Sequence, residues 1–301
     1  MKLVKTAEEL IDNPYARLEQ VVFIPSDFVH ITFPYYDPGD VSVWTRKNGN
    51  QVFTIQPGTM LGESLGLPCG LYPRLLIHWL TKQLKLTSGN EVFLGDNLTE
   101  FMRQLKLDTH QGGKRSPRSI CQKQLQRFFR AKYTTEYIHE VKGKKGLSYH
   151  DLQIAPKGNL WWDFSGDEEN IFDGKLILSD EAATMFRNST MPVDMRILYA
   201  LKDSCMDLDY FNWLHLKTYI ANRRQKILKV PWRGLIHQFG SVYGSKKNLT
   251  ADDVKNFTKA SKKSIDKILG VCGYLHISYY RGGISIRPAF IPLAIANKIV
   301  K

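Results

Sequence analysis

The side chains of this sequence whose types and spacing could do chemistry are cations set at helical intervals. Between Pro117 and Lys132, the residues Ser119, Lys123, Gln126, Arg127 and Arg130 fall on one side of a helix, opposite an apolar stripe of Cys121, Leu125, Phe128 and Phe129. A second segment, ADDVKNFTKASKKSIDKILG, repeats the arrangement. Its stripe is Val254, Phe257, Ile265 and Ile268, and Lys255, Lys259, Lys262, Lys263 and Asp266 face away from it. Adding 136 to each outward position of the first helix gives the second outward set. Arg118, at the start of the first helix, and Asn256, in the second, are further candidates for DNA contact. A helix is narrow enough to enter the major groove of B-DNA, where Lys and Arg reach guanine O6 and N7 and Gln or Asn pairs with adenine. Lys114 and Arg115 before the first helix, Lys246 and Lys247 before the second, and Lys144, Lys145 and Arg281 on two hairpins suit phosphates. Such contacts fix register and give salt-dependent affinity without reading sequence.

Other chemistries fit less well. The run QGGKRS suggests a nucleotide's phosphate cradle, but a Walker A loop needs a glycine five residues before its final Gly-Lys, and Asp108 stands there. GSVYGSKKN is one residue too short. None of the eight histidines (30, 78, 110, 139, 150, 215, 237, 276) pairs around one apolar residue to hold a nickase metal, and none forms H-E-x-x-H. The nearest thing to paired carboxylates, Asp207 and Asp209, sits at the start of an apolar helix, where Asp caps the helix and complements its dipole. The expectation is a protein with no catalytic residues, no metal and no cofactor.

Composition points the same way. The 301 residues carry a formal charge of +13, and the excess is local. Residues 103–145 hold twelve basic side chains against three acidic ones, and residues 217–267 hold thirteen against three. The rest of the chain is therefore net acidic. Solubility alone does not concentrate charge this way, whereas a polyanionic partner does. Cys69, Cys121, Cys205 and Cys272 have no C-x-x-C spacing and read as small buried hydrophobes in a reducing compartment. The N-terminal MKLVKTAEEL turns charged before any apolar stretch develops, so no signal peptide is expected there. No apolar run approaches the ~20 residues that span a bilayer, so the expected location is the cytoplasm, with no membrane partner.

The elements around the cations follow an order. VSVWTRKNGNQVFTI predicts a hairpin of 41–46 and 51–55 about a type I′ Asn48-Gly49 turn. A helix over LYPRLLIHWLTKQLKL, a short strand at EVFLG and a helix capped by Asn97 come next. The first basic helix then opens on Pro117, and KYTTEYIHEV and GLSYHDLQIA form a hairpin around the tip 142–146. An acidic stretch from Asp163 to Glu181 marks a junction. The second half then has helices at SDEAATMFRN, VDMRILYALK and LDYFNWLHLKTYIANRR, a short helix after Pro231, the second basic helix, and a hairpin tipped by Arg281. Helix, turn, basic helix and hairpin is the order of a winged helix-turn-helix. The expected fold is therefore α+β with two tandem winged-helix domains: an arm over 1–40, a first domain over 41–165 and a second over 166–301.

RKNGNQVFTIQPG, GLPCGLYPRLLIHWL, LTEFMRQLKL with GGKRS after it, MPVDMRILYALKDSCMDLDYFNWL and VPWRGLIHQFG together resemble the RepA-type replication initiators of bacterial plasmids, over about 41–288. The resemblance implies a non-catalytic protein that binds repeated origin sequences (iterons) in double-stranded DNA as a monomer. It implies a monomer–dimer equilibrium in which dimers repress the protein's own gene. It also implies help in opening an AT-rich region and recruitment of host replication proteins such as helicase. A transcriptional regulator using the same two domains only on an operator is the alternative. Two unlike heads on one chain predict a non-palindromic direct repeat of roughly 20 bp per monomer, with dimer contacts from the 41–55 hairpin edge.

Overall fold

The computed structural model describes residues 2–30, 32–109, 116–141, 144–159, 174–189, 191–240 and 248–292. The chain is mixed α+β and divides into two compact units. A terminal unit combines 1–35, 46–50 and 190–301, and a central unit combines 36–45 and 51–189. This division departs from boundaries at 40 and 165. The first 35 residues are grouped with the C-terminal part of the chain, because the strand Val21–Ile24 pairs antiparallel with Met191–Asp194, Val21 opposite Asp194. The helix Asp180–Arg187 belongs to the central unit, not the later one, and packs on the helix Leu71–Leu86. Most of the acidic stretch lies outside the described residues.

In the central unit the helix Leu71–Leu86 has the limits its periodicity predicts, and it buries Leu75, Leu76, Leu80 and Leu84. Asn97 caps Leu98–Gln104 by accepting the Glu100 N–H at 2.8 Å. The first basic helix, Pro117–Arg130, has Pro in its first turn and Ser116 as N-cap. Its stripe of Cys121, Leu125, Phe128 and Phe129 is fully buried. The helix runs straight into a hairpin of two ten-residue strands, Lys132–Val141 and Lys144–Gln153, and Gln51–Gln56 pairs along the first of them. Tyr133 anchors the base of this sheet, stacked on Phe53 at 6.2 Å and donating its hydroxyl to the Phe128 carbonyl at 2.7 Å.

The hairpin nearer the N-terminus forms with a different turn. Its strands are Trp44–Asn48 and Gln51–Gln56, which leaves Gly49 and Asn50 in the turn. Only Gly49 has positive φ, at 60°. A glycine at the first central position is the requirement of a type II′ turn, whereas type I′ needs positive φ at both. Asn48 therefore ends the strand instead of opening the turn.

In the terminal unit, Cys205–Arg224 runs through the core with Tyr210, Phe211, Trp213 and Leu214 buried, and Tyr210 and Trp213 pack on Phe239 of the helix Trp232–Phe239. The second basic helix, Ala251–Leu269, opens with a capping box of Thr250 and Asp253. A three-stranded antiparallel sheet flanks it, with Gly283–Ile286 between Leu228–Pro231 and Ile277–Tyr280. No helix among the described residues is long and apolar enough to cross a membrane.

Burial also sets a pH response in this unit. The His215 ring is fully enclosed, bonded to the Phe211 carbonyl at 2.7 Å through Nδ1 and to the Tyr274 hydroxyl at 3.0 Å through Nε2. Burial lowers its pKa to about 4, because a charged ring there would lose its hydration. Burial and the charge of Lys217 lower His30 to about 4 as well. A histidine with a depressed folded pKa contributes stability that is complete above its unfolded value and fades as pH falls from about 6.5 toward 4. The urea midpoint of the terminal unit is thus expected to fall between pH 7 and pH 5. Replacing His215 with Gln should flatten that decline, and an unchanged decline would mean that other groups cause it.

Candidate nucleic-acid interface

The second basic helix is held by its inner side, which fixes what its outer side presents. Tyr210 donates its hydroxyl to Ser261 Oγ at 2.9 Å. Asp207 accepts from Ser264 Oγ and from Lys267 Nζ, each at 2.6 Å. Asp207 is thus not a helix cap, a role taken by Ser204, but a buried clamp between two helices. Lys267 is spent in this clamp. Lys255, Asn256, Lys259 and Lys263 are left exposed along one face. Lys262 lies half-buried with its ammonium 5.1 Å from the centre of the Tyr279 ring, and Tyr279 donates to Asp266 at 2.6 Å. Tyr279 also stacks on Trp232, so the hairpin is tied to the helix beside it. Arg281 is exposed at that hairpin's turn. Lys246 and Lys247 lie outside the described residues.

The first basic helix is different. Arg118 and Lys123 are exposed, Ser119 and Gln126 are half-buried, and Arg130 is exposed but donates to the Thr59 carbonyl at 2.9 Å. Arg127, expected to face outward, is buried at 5% relative exposure. Its guanidinium donates to the Leu65 carbonyl at 2.6 Å and the Leu67 carbonyl at 3.1 Å, and pairs with Asp37 at 2.8 Å. Burial alone would raise the Asp37 carboxyl. Hydrogen bonds from Arg127 and Gly39 and the charges of Arg127 and Lys123 reverse this, so it ends below its ordinary pKa. The cause is the loop between Gln56 and Leu71, which folds over the C-terminal half of the helix. Gln124, on the same flank, accepts from the Cys69 N–H at 2.8 Å. Helical periodicity places residue 127 correctly, but no periodic signal reveals a loop that returns to cover it.

The same loop approaches the helix end closely at Gly58, where a Cβ would fall on the Arg130 carbonyl and 2.6 Å from Arg130 Cβ. Gly58→Ala must push the loop off the helix. It is expected to cost ~1–3 kcal/mol of stability, read as a lower urea midpoint of the central unit. An unshifted midpoint would show that the loop gives way freely.

Lys144 and Lys145 are exposed, but they begin a strand instead of lying in a tip. Lys145 stands directly opposite Glu140, so part of its charge is answered across the hairpin. The outer hairpin also exposes Ile138, Leu147 and Tyr149. Lys114 and Arg115 lie outside the described residues. One exposed residue of the first helix belongs neither to the apolar stripe nor to the candidate contacts read from the sequence: Ile120, at 41% relative exposure and on the same side as Lys123. Its only sequence signal is a β-branched apolar residue on the polar side.

Each unit therefore presents a basic helix beside an antiparallel hairpin, the terminal one with a broad cationic face and the central one with a face confined to the helix's first two turns. No curated protein matches the sequence. Among solved structures, two crystal structures of RctB domains 2 and 3, one of them from selenomethionine derivatives, are each 8% identical with a TM-score of 0.49. They cover 85% and 86% of this chain and 93% of their own. Over residues 67–232, more than half of its length, the sequence matches the family described as plasmid encoded RepA protein, and the chain belongs to that family.

Proposed function

We propose that this chain is a plasmid replication initiator that binds repeated origin sequences in double-stranded DNA through two winged-helix heads. The observation that carries the reading is the pair of basic helices, one in each unit, with Lys255, Asn256, Lys259 and Lys263 exposed on one and Arg118 and Lys123 on the other. Membership of the RepA family supports the replication role. Recognition is by groove-reading side chains and phosphate contacts, without catalysis, metal or cofactor. Bound monomers on direct repeats help open the origin and recruit host helicase and other replication proteins. The Trp44–Asn48 strand lies at one side of its sheet, and that edge supports its use as the dimer contact for autorepression.

Footprinting the purified chain on the DNA around its own gene tests the proposal. Protected direct repeats, each bound by one chain by mass measurement, are the expected result. Protection confined to an inverted repeat in the promoter, with plasmid copy number unaffected by its loss, would favour the transcriptional regulator. No sequence-specific protection would overturn both.

A further inference from the structure

The face of the first basic helix that remains open is short. With Arg127 drawn under the loop and Arg130 bonded to Thr59, the exposed side chains of the helix body are Arg118, Ile120 and Lys123. Ile120 is the fourth residue of the helix and regular within it, its N–H bonded to the Ser116 carbonyl at 3.0 Å. Single exposed apolar residues are common and usually mean nothing. This one differs in its place. It lies in the first turn, three residues before Lys123 and on the same side of the helix, on the face left free when the loop covers the rest. Side chains near the N-terminus of a groove-inserted helix are those that meet base edges.

We infer that Ile120 is a specificity residue of the central unit and takes the C5-methyl group of a thymine. The inference rests on the DNA-binding reading above. The thymine methyl is the one apolar feature of the major-groove edge, and an apolar side chain against it discriminates thymine from cytosine, which lacks it. In water the Ile120 side chain gains nothing from exposure. Against the methyl both apolar surfaces are buried, while Lys123, one turn on and on the same side, meets phosphate or guanine. The repeat supports the placement. Residue 256, which is 136 positions on from residue 120, is Asn256, also exposed on its helix. Its amide matches adenine N6 and N7. The two heads thus place at one equivalent position an adenine reader and a thymine reader, the two ways of recognising an A·T pair.

The test alters the DNA first and the protein second. The full chain selects a duplex from a random pool, and each thymine of that duplex is replaced in turn by deoxyuridine, which lacks only the methyl. Loss of one buried methyl weakens binding about three- to fivefold. The expected result is one deoxyuridine position, in the half of the site footprinted by the central unit, with a loss of that size for the native chain and no loss for Ile120→Ala. Sensitivity at no position, or equal sensitivity in Ile120→Ala, overturns the inference and leaves the DNA-binding reading standing. A chain that selects no sequence overturns that reading, and the inference with it.

Discussion

Replacing Arg127 with Ala is expected to destabilise the central unit by ~2–4 kcal/mol, with little direct effect on the DNA affinity of the molecules that remain folded. The guanidinium satisfies the Leu65 and Leu67 carbonyls and the Asp37 carboxylate together. Removing it leaves two carbonyls beneath a loop without a donor, and each such loss costs about 1–3 kcal/mol. Asp37 is nearly half exposed, so its own part is small. Asp37→Asn should therefore cost about 1 kcal/mol or less. Urea midpoints of the three proteins give the ordering, and affinities corrected for folded fraction separate stability from recognition. A folded, stable Arg127→Ala chain that binds DNA tenfold more weakly would return Arg127 to the reading face, where the helical spacing alone puts it.

That difference marks where the sequence stops being informative. Regular elements declare themselves through period and caps. Leu71–Leu86, Pro117–Arg130 and Ala251–Leu269 were legible because their apolar residues recur every three or four positions, the second of them behind a proline that suits a first turn, and Lys132–Val141 because its residues favour strands. Contacts between distant segments leave no such mark. Val21–Ile24 pairs with Met191–Asp194, about 170 residues away, and one of those partners is Pro192. Nothing local in either segment specifies the other. The loop over Arg127 is the same problem at shorter range. Its closely spaced glycines and prolines, in PGTMLGESLGLPCG, signal tight backbone but not what the backbone packs against. At the candidate interface the faces were legible and the coverage was not, so Lys255, Lys259 and Lys263 keep the exposure their spacing gave them, while Lys262, half-covered by Tyr279, and the buried Arg127 do not.

The largest effect on binding is therefore expected from the second helix. Lys259 and Lys263 lie one turn apart and are both exposed, whereas Lys262 is held over Tyr279 and Lys267 is bonded to Asp207. If both exposed ammonium groups meet phosphate, the double variant Lys259→Ala, Lys263→Ala makes the slope of log K against log salt shallower by about 2 units, from an overall slope of roughly −5 to −9. If they reach guanine instead, the slope barely changes and each replacement costs ~1–3 kcal/mol on the selected duplex, with less lost on random DNA. Either result places this face on DNA, and the slope says which part of the duplex it touches. Lys267→Ala is the control. It should lower the stability of the terminal unit by breaking the clamp on Asp207, and leave the salt slope unchanged because its charge was already paired. A double variant with native affinity and native slope would remove the second basic helix from the interface, and the two-headed reading with it.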